Sequence, residues 1–293
     1  MPNLNDYTTQ VQQLLHDPTG SLYGSLTSYI NEARYRLALQ SECVRFLWKY
    51  DVSTAFGAQA GSGYTAGVGD ISLVSAAGLT VGMQATSPQS GAFAPESVIS
   101  AINGNTVTII PAPLKGTGSS VALTFYAPLS TVVGQENYPY GTGVGGYLGV
   151  QNVIQVKSVA VNWGGINGSS LVTLEQWSWT KYQAFLAYYG PNLQGNPAVW
   201  SSYYNMVKMR PVPSSVWPMQ WDTVCQPIAL VDNTSVEAIP WPYTDSVKYY
   251  AAYLAYMNGQ RPQDADRMET LYNKTMAEAR SFTQRTFVPY IYR

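Results

Sequence analysis

The chain has 293 residues, 46% hydrophobic and only 11% charged, and its 16 basic and 17 acidic side chains leave a formal net charge of −1. That length allows about two domains of ~150 residues with an ample core. The charge argues against a strongly basic nucleic-acid binder, which needs clustered Lys and Arg. The hydrophobic content argues against disorder. What is left is a weakly charged surface rich in tyrosine, 23 in all, suited to a partner more than to solvent.

In chain order, residues 1–50 read as helical. Tyr7, Val11, Leu14 and Leu15 recur at helical spacing after the caps Asn5 and Asp6, and Asp17-Pro18-Thr19-Gly20 stops the helix. A longer helix is predicted from about Ser25 to Tyr50. Its apolar stripe is Leu26, Ile30, Ala33, Leu37, Val44 and Leu47, with Glu32 paired to Arg36 one turn on. From Val52 to about Gly134 the chain turns to Gly, Ser, Thr, Ala and Val. Val121-Ala-Leu-Thr-Phe alternates with a period of two, and Asn103-Gly104 between strand-like runs signals a hairpin. This stretch predicts a small all-β module inserted into another domain.

Gln151 to Trp163 predicts one strand, with a phase shift near Lys157-Ser158. Leu174, Trp177, Tyr182, Leu186 and Tyr189 suit a helix ending at Gly190-Pro191, with Glu175 at its start. Trp217, Met219, Trp221 and Thr223 alternate as one strand face, and Pro218 on the opposite face predicts an edge strand. Two helices close the chain. The first starts near Thr244, turns Val247, Tyr250, Ala251 and Leu254 inward, and stops at Asn258-Gly259. The second opens on Pro262 with Asp264 and Asp266 at its positive end and runs to about Phe282. The remainder, RTFVPYIYR, reads as an extended aromatic tail. The fold class expected is α+β: a helical core over 1–51 and 135–282 with short strands, an all-β insert over 52–134, and a tail over 283–293.

Catalytic chemistry is thin. Gly141-Thr-Gly143-Val-Gly-Gly146 has the spacing G-x-G-x-x-G, but Pro139-Tyr140 precede it and a strand-like run follows, which predicts a linker. His16, the single histidine, falls at a helix end and excludes most triads. Glu175 and Glu136 keep a paired-carboxylate glycosidase formally open, although a carboxylate at a helix start simply suits the dipole. Asp264 and Asp266 read as cap charges. Cys43 and Cys225 lie far apart, which predicts buried thiols, no disulfide framework and no zinc site. No cofactor is expected. The N-glycosylation patterns at Asn167, Asn233 and Asn273 carry no weight without a secretory signal, and MPNLNDYTTQ lacks one, which predicts an intracellular origin. No run approaches the ~20 apolar residues of a membrane span. Trp177, Trp217 and Trp221 fall at core-periodic positions, favouring packing over a sugar-stacking platform.

The opening DYTTQVQQLLHDPTGSLYGSLTSYINEARYRLAL resembles the start of head-to-tail adaptor (connector) proteins of tailed bacteriophages: a short helix, a break, then a helix carrying YINEAR. The closing IPWPYTDSVKYYAAYLAYMNGQRPQDADRMETLYNKTMAEAR is similar to the C-terminal helical hairpin of the same family, and MVKMRPVPSSVWPMQW belongs to the match. Residues 78–126 separately resemble a β-module of phage structural proteins, although SPQSGAFAPES stands where that module carries G-x-x-I-P-x-G.

The resemblance implies a non-enzymatic virion protein at the head-tail junction, made in the host cytoplasm. It implies a homo-oligomeric ring, usually twelve-fold, that binds the portal protein, extends the DNA channel without reading sequence, and meets a tail or nozzle protein. It implies portal docking by Thr286, Phe287, Val288, Pro289, Tyr290, Ile291, Tyr292 and Arg293. Nine or ten extended residues reach about 30 Å, and an extended aromatic peptide is a recognised binding element. Two other functions stay open: a carbohydrate-binding virion protein acting through 52–134, and a cell-wall hydrolase using Glu175.

Overall fold

The computed structural model describes residues 2–17, 23, 25–89, 92–94, 97–117, 119–140, 150–163, 171–190, 193–233, 235 and 237–285. Among them the chain is mixed α+β. The helices are α1 (Leu4–Leu15), α2 (Leu26–Ser41), α3 (Trp179–Tyr189), α4 (Thr244–Asn258) and α5 (Pro262–Arg285). The strands are β1 (Arg45–Trp48), β2 (Tyr50–Ala60), β3 (Asp70–Ser72), β4 (Gln84–Thr86), β5 (Val98–Asn103), β6 (Thr106–Ile110), β7 (Val121–Pro128) and β8 (Asn137–Pro139). They continue with β9 (Val150–Asn162), β10 (Leu171–Thr173), β11 (Glu175–Gln176), β12 (Gln194–Gly195), β13 (Val199–Tyr203), β14 (Met206–Arg210), β15 (Val212–Pro213) and β16 (Met219–Pro227). Two compact units divide the chain: residues 1–46, 142–155 and 224–293 form the first, residues 47–141 and 156–223 the second.

The first unit is built on α1, α2, α4 and α5. Asn3 caps α1 in place of the expected Asn5 or Asp6: its Oδ1 accepts from the Asp6 N–H, and Asp6 Oδ2 accepts from the Asn3 N–H, both at 2.9 Å. This reciprocal box satisfies two donors that would otherwise lack partners at the helix start. Tyr7, Val11 and Leu15 are buried as their spacing requires, and Leu14 is half-buried. Helix α2 buries Leu26, Ile30, Ala33 and Leu37, and Glu32 meets Arg36 at 3.7 Å on its exposed side.

The helix expected to run to Tyr50 stops at Ser41. Glu42 turns into the left-handed region and its N–H bonds to the Ala38 carbonyl. After it, Val44 accepts from the Cys225 N–H and the chain becomes β1. The run Val-Arg-Phe-Leu-Trp has β-branched and aromatic residues that favour a strand once a partner is present.

Helices α4 and α5 form the expected hairpin. Helix α4 buries Val247, Tyr250, Ala251, Ala255 and Tyr256, with Leu254 half-buried, and α5 buries Ala265, Met268, Tyr272, Met276 and Ala279. Tyr250 and Tyr272 meet with ring centroids 4.9 Å apart, and Tyr272 OH donates to Gln40 Oε1 on α2 at 2.7 Å. Gly259 is there for space: its φ is −78°, and a Cβ would stand 2.8 Å from the Tyr23 ring. Its neighbour Gln260 takes the positive φ.

The second unit contains a six-stranded antiparallel sheet in the order β2-β7-β4-β5-β6-β3. Ile71, Ile99, Val107, Ile109, Leu123 and Phe125 make its buried face. Asn103 pairs with Thr106, so the two-residue turn is Gly104-Asn105, with Gly104 supplying the positive φ. The same unit holds the sheet β11-β13-β14-β8 and the short parallel pair β12-β15.

Two expectations fail here. Leu174 and Trp177 are not helical: the Glu175 N–H bonds to the Ala198 carbonyl and the Trp177 N–H to the Trp200 carbonyl, so this backbone is engaged as β11 beside β13. Helix α3 starts only at Trp179, capped by the Ser178 hydroxyl. The strand after Pro218 is not at an edge, since β16 lies between β1 and β9. Pro218 precedes its first residue, so the missing N–H breaks no ladder bond, and its carbonyl accepts from Asn162. Strand β9 matches its predicted span to within one residue at each end, and it buries Val153, Val156, Val159, Ala160 and Val161. No helix among the described residues is long and apolar enough to cross a membrane.

Candidate functional site

The residues that carry the N-terminal resemblance do structural chemistry inside the first unit. Asn31 and Arg34 are three apart on α2 and so share a face. That face meets the segment that follows β16. Asn31 acts as a piece of backbone: its Nδ2 donates to the Leu230 carbonyl at 3.0 Å and its Oδ1 accepts from the Leu230 N–H at 2.8 Å. Arg34 forks onto Glu237, with Nε to Oε2 at 3.0 Å and Nη2 to Oε1 at 2.9 Å. Its Nη1 reaches the Ile228 carbonyl at 2.6 Å and Asn31 Oδ1 at 3.1 Å. Glu237 Oε1 accepts again from the Ile239 N–H at 2.9 Å. Both side chains are out of water, at 1% and 0% exposure, and each charge is met by hydrogen bonds as burial demands. Burial, and next the Glu237 charge, push the neighbouring Tyr7 phenol far above its usual range.

The sequence carried a signal for this clamp that periodicity alone passes over. Arg34 stands four residues from Ile30 and next to Ala33 on the apolar stripe, where a cation is out of place unless a buried partner exists.

A second buried network lies in the second unit. Tyr182 OH donates to Glu136 Oε1 at 2.8 Å, and Arg210 Nη2 holds Glu136 Oε2. Burial and then Glu136 push the Tyr182 phenol far up. Glu175, by contrast, is exposed on β11, 3.4 Å from Lys181 Nζ. The Trp177 indole, and after it Lys181, hold its carboxyl below the usual range. Glu175 is therefore no helix-start carboxylate, and the two acids are engaged separately.

The other singled-out residues are placed as follows. His16 is exposed at the end of α1, in the left-handed region, with its backbone N–H on the Gln12 and Gln13 carbonyls. Asp264 lies 3.9 Å from Arg261 in the first turn of α5. Asn233 Oδ1 accepts from the Asn5 N–H at 3.0 Å. Trp221 is buried, while Trp177 and Trp217 are half-buried. Gly141 to Gly146, Asn167, and the docking candidates Thr286 to Arg293 lie outside the described residues. Among the described residues no cluster of three or more His, Cys, Asp and Glu side chains is arranged to hold a metal ion.

Cys43 and Cys225 are both thiols, half-buried and buried respectively. Burial pushes the Cys43 thiol up to about 11. Below pH 9 it is protonated in both folded and unfolded chains; from 9 to 11 the unfolded chain ionises while the folded chain keeps its proton, so stability falls over that window. Tyr272, raised to about 12 by burial and then by Tyr250, extends the fall. Denaturant melts between pH 8 and 11 are expected to show a shallower decline for Cys43→Ala than for the parent. An equal decline in both would mean that Cys43 ionises normally in the fold.

No known protein family matches the chain, and no curated protein matches it in sequence.

Proposed function

We propose that this chain is a structural adaptor of the head-to-tail junction of a tailed bacteriophage, a ring subunit that joins the portal to the tail or nozzle and performs no catalysis. In this reading residues 1–51 and 135–282 are the helical adaptor core with its β elements, residues 52–134 are an inserted all-β module, and residues 283–293 dock onto the portal. The observation that carries it is the clamp. The two chain ends that resemble the adaptor family fold against each other, and Asn31 and Arg34 of the YINEAR stretch grip the segment leading into the resembling C-terminal hairpin.

The acids add support. A glycosidase general acid needs a carboxyl held up in pKa. Glu175 is held down and exposed, and Glu136 is bound to Arg210 and Tyr182. Low charge suits extensive subunit contacts, because charge is costly to desolvate. A nearly neutral channel wall also avoids gripping DNA in transit.

The test mixes purified chain with portal rings and images the product by electron microscopy. The full chain is expected to decorate portal rings, and a chain truncated after residue 282 is expected to remain folded by circular dichroism yet leave the rings bare. Decoration by the truncated chain would place docking elsewhere, and no decoration by the full chain would remove the adaptor reading.

A further inference from the structure

Helix α3 and the β13–β14 hairpin carry a stack of three aromatic rings. Ser178 fixes the start of α3, so Trp179 and Tyr182 fall three apart on one face. The Trp179 ring lies 5.6 Å and 19° from Tyr182, and 4.3 Å and 13° from Tyr203 at the end of β13. Exposure rises along the stack: Tyr182 is buried, Trp179 half-buried and Tyr203 49% exposed. The ladder thus leads out of the core and ends on a ring that faces water.

Beyond Tyr203 the chain reverses through Tyr204 and Asn205, with φ of 50° and 56°. Such a two-residue turn ordinarily takes Asn, Asp or Gly at both places. Tyr204 is a bulky ring in a conformation that disfavours it, and it is 84% exposed, so core packing does not account for it. Strain of this kind, held at a surface tip, points to use.

The charges nearby narrow the choice of ligand. Lys181 lies 4.0 Å above the Trp177 ring and is matched by Glu175, and Arg210 is matched by Glu136. Lys208, opposite Ser201 on β14, reaches to 5.3 Å from the Trp179 ring centre. Among the described residues the stack thus has one lysine beside two phenols, and this does not hold a polyphosphate backbone, which needs several unmatched cations. It does suit a sugar, whose C–H face covers an aromatic ring while hydroxyls bond to phenol and ammonium at the rim.

We propose that Tyr203, backed by Trp179, binds a pyranose ring of a neutral glycan, with Tyr204 of the adjoining turn and Lys208, which reaches the Trp179 ring, as its further contacts. This site is separate from residues 52–134.

Saturation-transfer NMR on the full-length chain with maltohexaose, cellohexaose and chitohexaose, and with an oligo-dT strand, tests it. At least one hexaose is expected to show saturable transfer. Tyr203→Ala is expected to weaken that binding about tenfold, and Tyr203→Phe to keep most of it. Tyr204→Gly separates a binding role from a structural one, because it relaxes the turn and so raises the unfolding midpoint while lowering affinity. The proposal is overturned if no hexaose binds saturably, if binding survives both Tyr203→Ala and Tyr204→Gly unchanged, or if the DNA strand alone binds through these residues.

Discussion

Glu237→Ala is expected to destabilise the helical unit by about 3–5 kcal/mol, read from the urea midpoint of the far-UV signal at neutral pH. The loss comes less from the missing attraction than from what stays behind. Arg34, 1% exposed, keeps its charge but loses two of its acceptors, and the Ile239 N–H loses its own. Arg34→Met alone strands Glu237 in the same way. Replacing the two together, Arg34→Met with Glu237→Leu, is expected to recover most of the loss, because an apolar pair of similar volume needs no solvation. The double-mutant cycle should therefore be strongly non-additive. Additive effects below about 1 kcal/mol would mean that the pair is solvated and that the clamp does not hold the chain ends together.

What the sequence made legible, and what it did not, follows the distance over which each feature is decided. Helices α1, α4 and α5 were readable because their stripes are local: Tyr7 with Val11, or Val247 with Tyr250 and Ala251, announce a face within one or two turns. Gly104 marked the β5–β6 hairpin for the same reason. The end of α2 was not readable, because Val44 to Trp48 leave the helix only when the β16 backbone is available, as the Cys225–Val44 bond shows. The start of α3 moved for a like cause, with β13 drawing Glu175 and Trp177 into pairing. The turn at Tyr204-Asn205 carries an atypical residue and so no signal. The clamp joins residues 203 positions apart; half of it, the misplaced cation on an apolar stripe, was visible, but its partner among the acids was not.

Phe125→Ala is expected to lower the stability of the six-stranded sheet by about 3–5 kcal/mol, the usual loss for emptying a fully buried aromatic site. Phe125 lies on the inner strand β7, paired with β2 on one side and β4 on the other, and shares its buried face with Leu123, Ile99 and Ile109. If residues 52–134 fold as a unit of their own, roughly 80 residues carry only about 4–12 kcal/mol in total at the usual 0.05–0.15 per residue, and the variant approaches the point of unfolding. The consequence discriminates between two ways of building the chain. If residues 52–134 are an insert with a core of their own, heating Phe125→Ala gives two transitions: an early one in near-UV dichroism and sheet amide exchange, and a later one in the helical signal at the parent's midpoint. A single transition, shifted as a whole, would mean that the sheet and the helices fold as one cooperative body and that the insert is not autonomous. The first outcome is expected, because among the described residues the buried cluster of this sheet lies within 58–127.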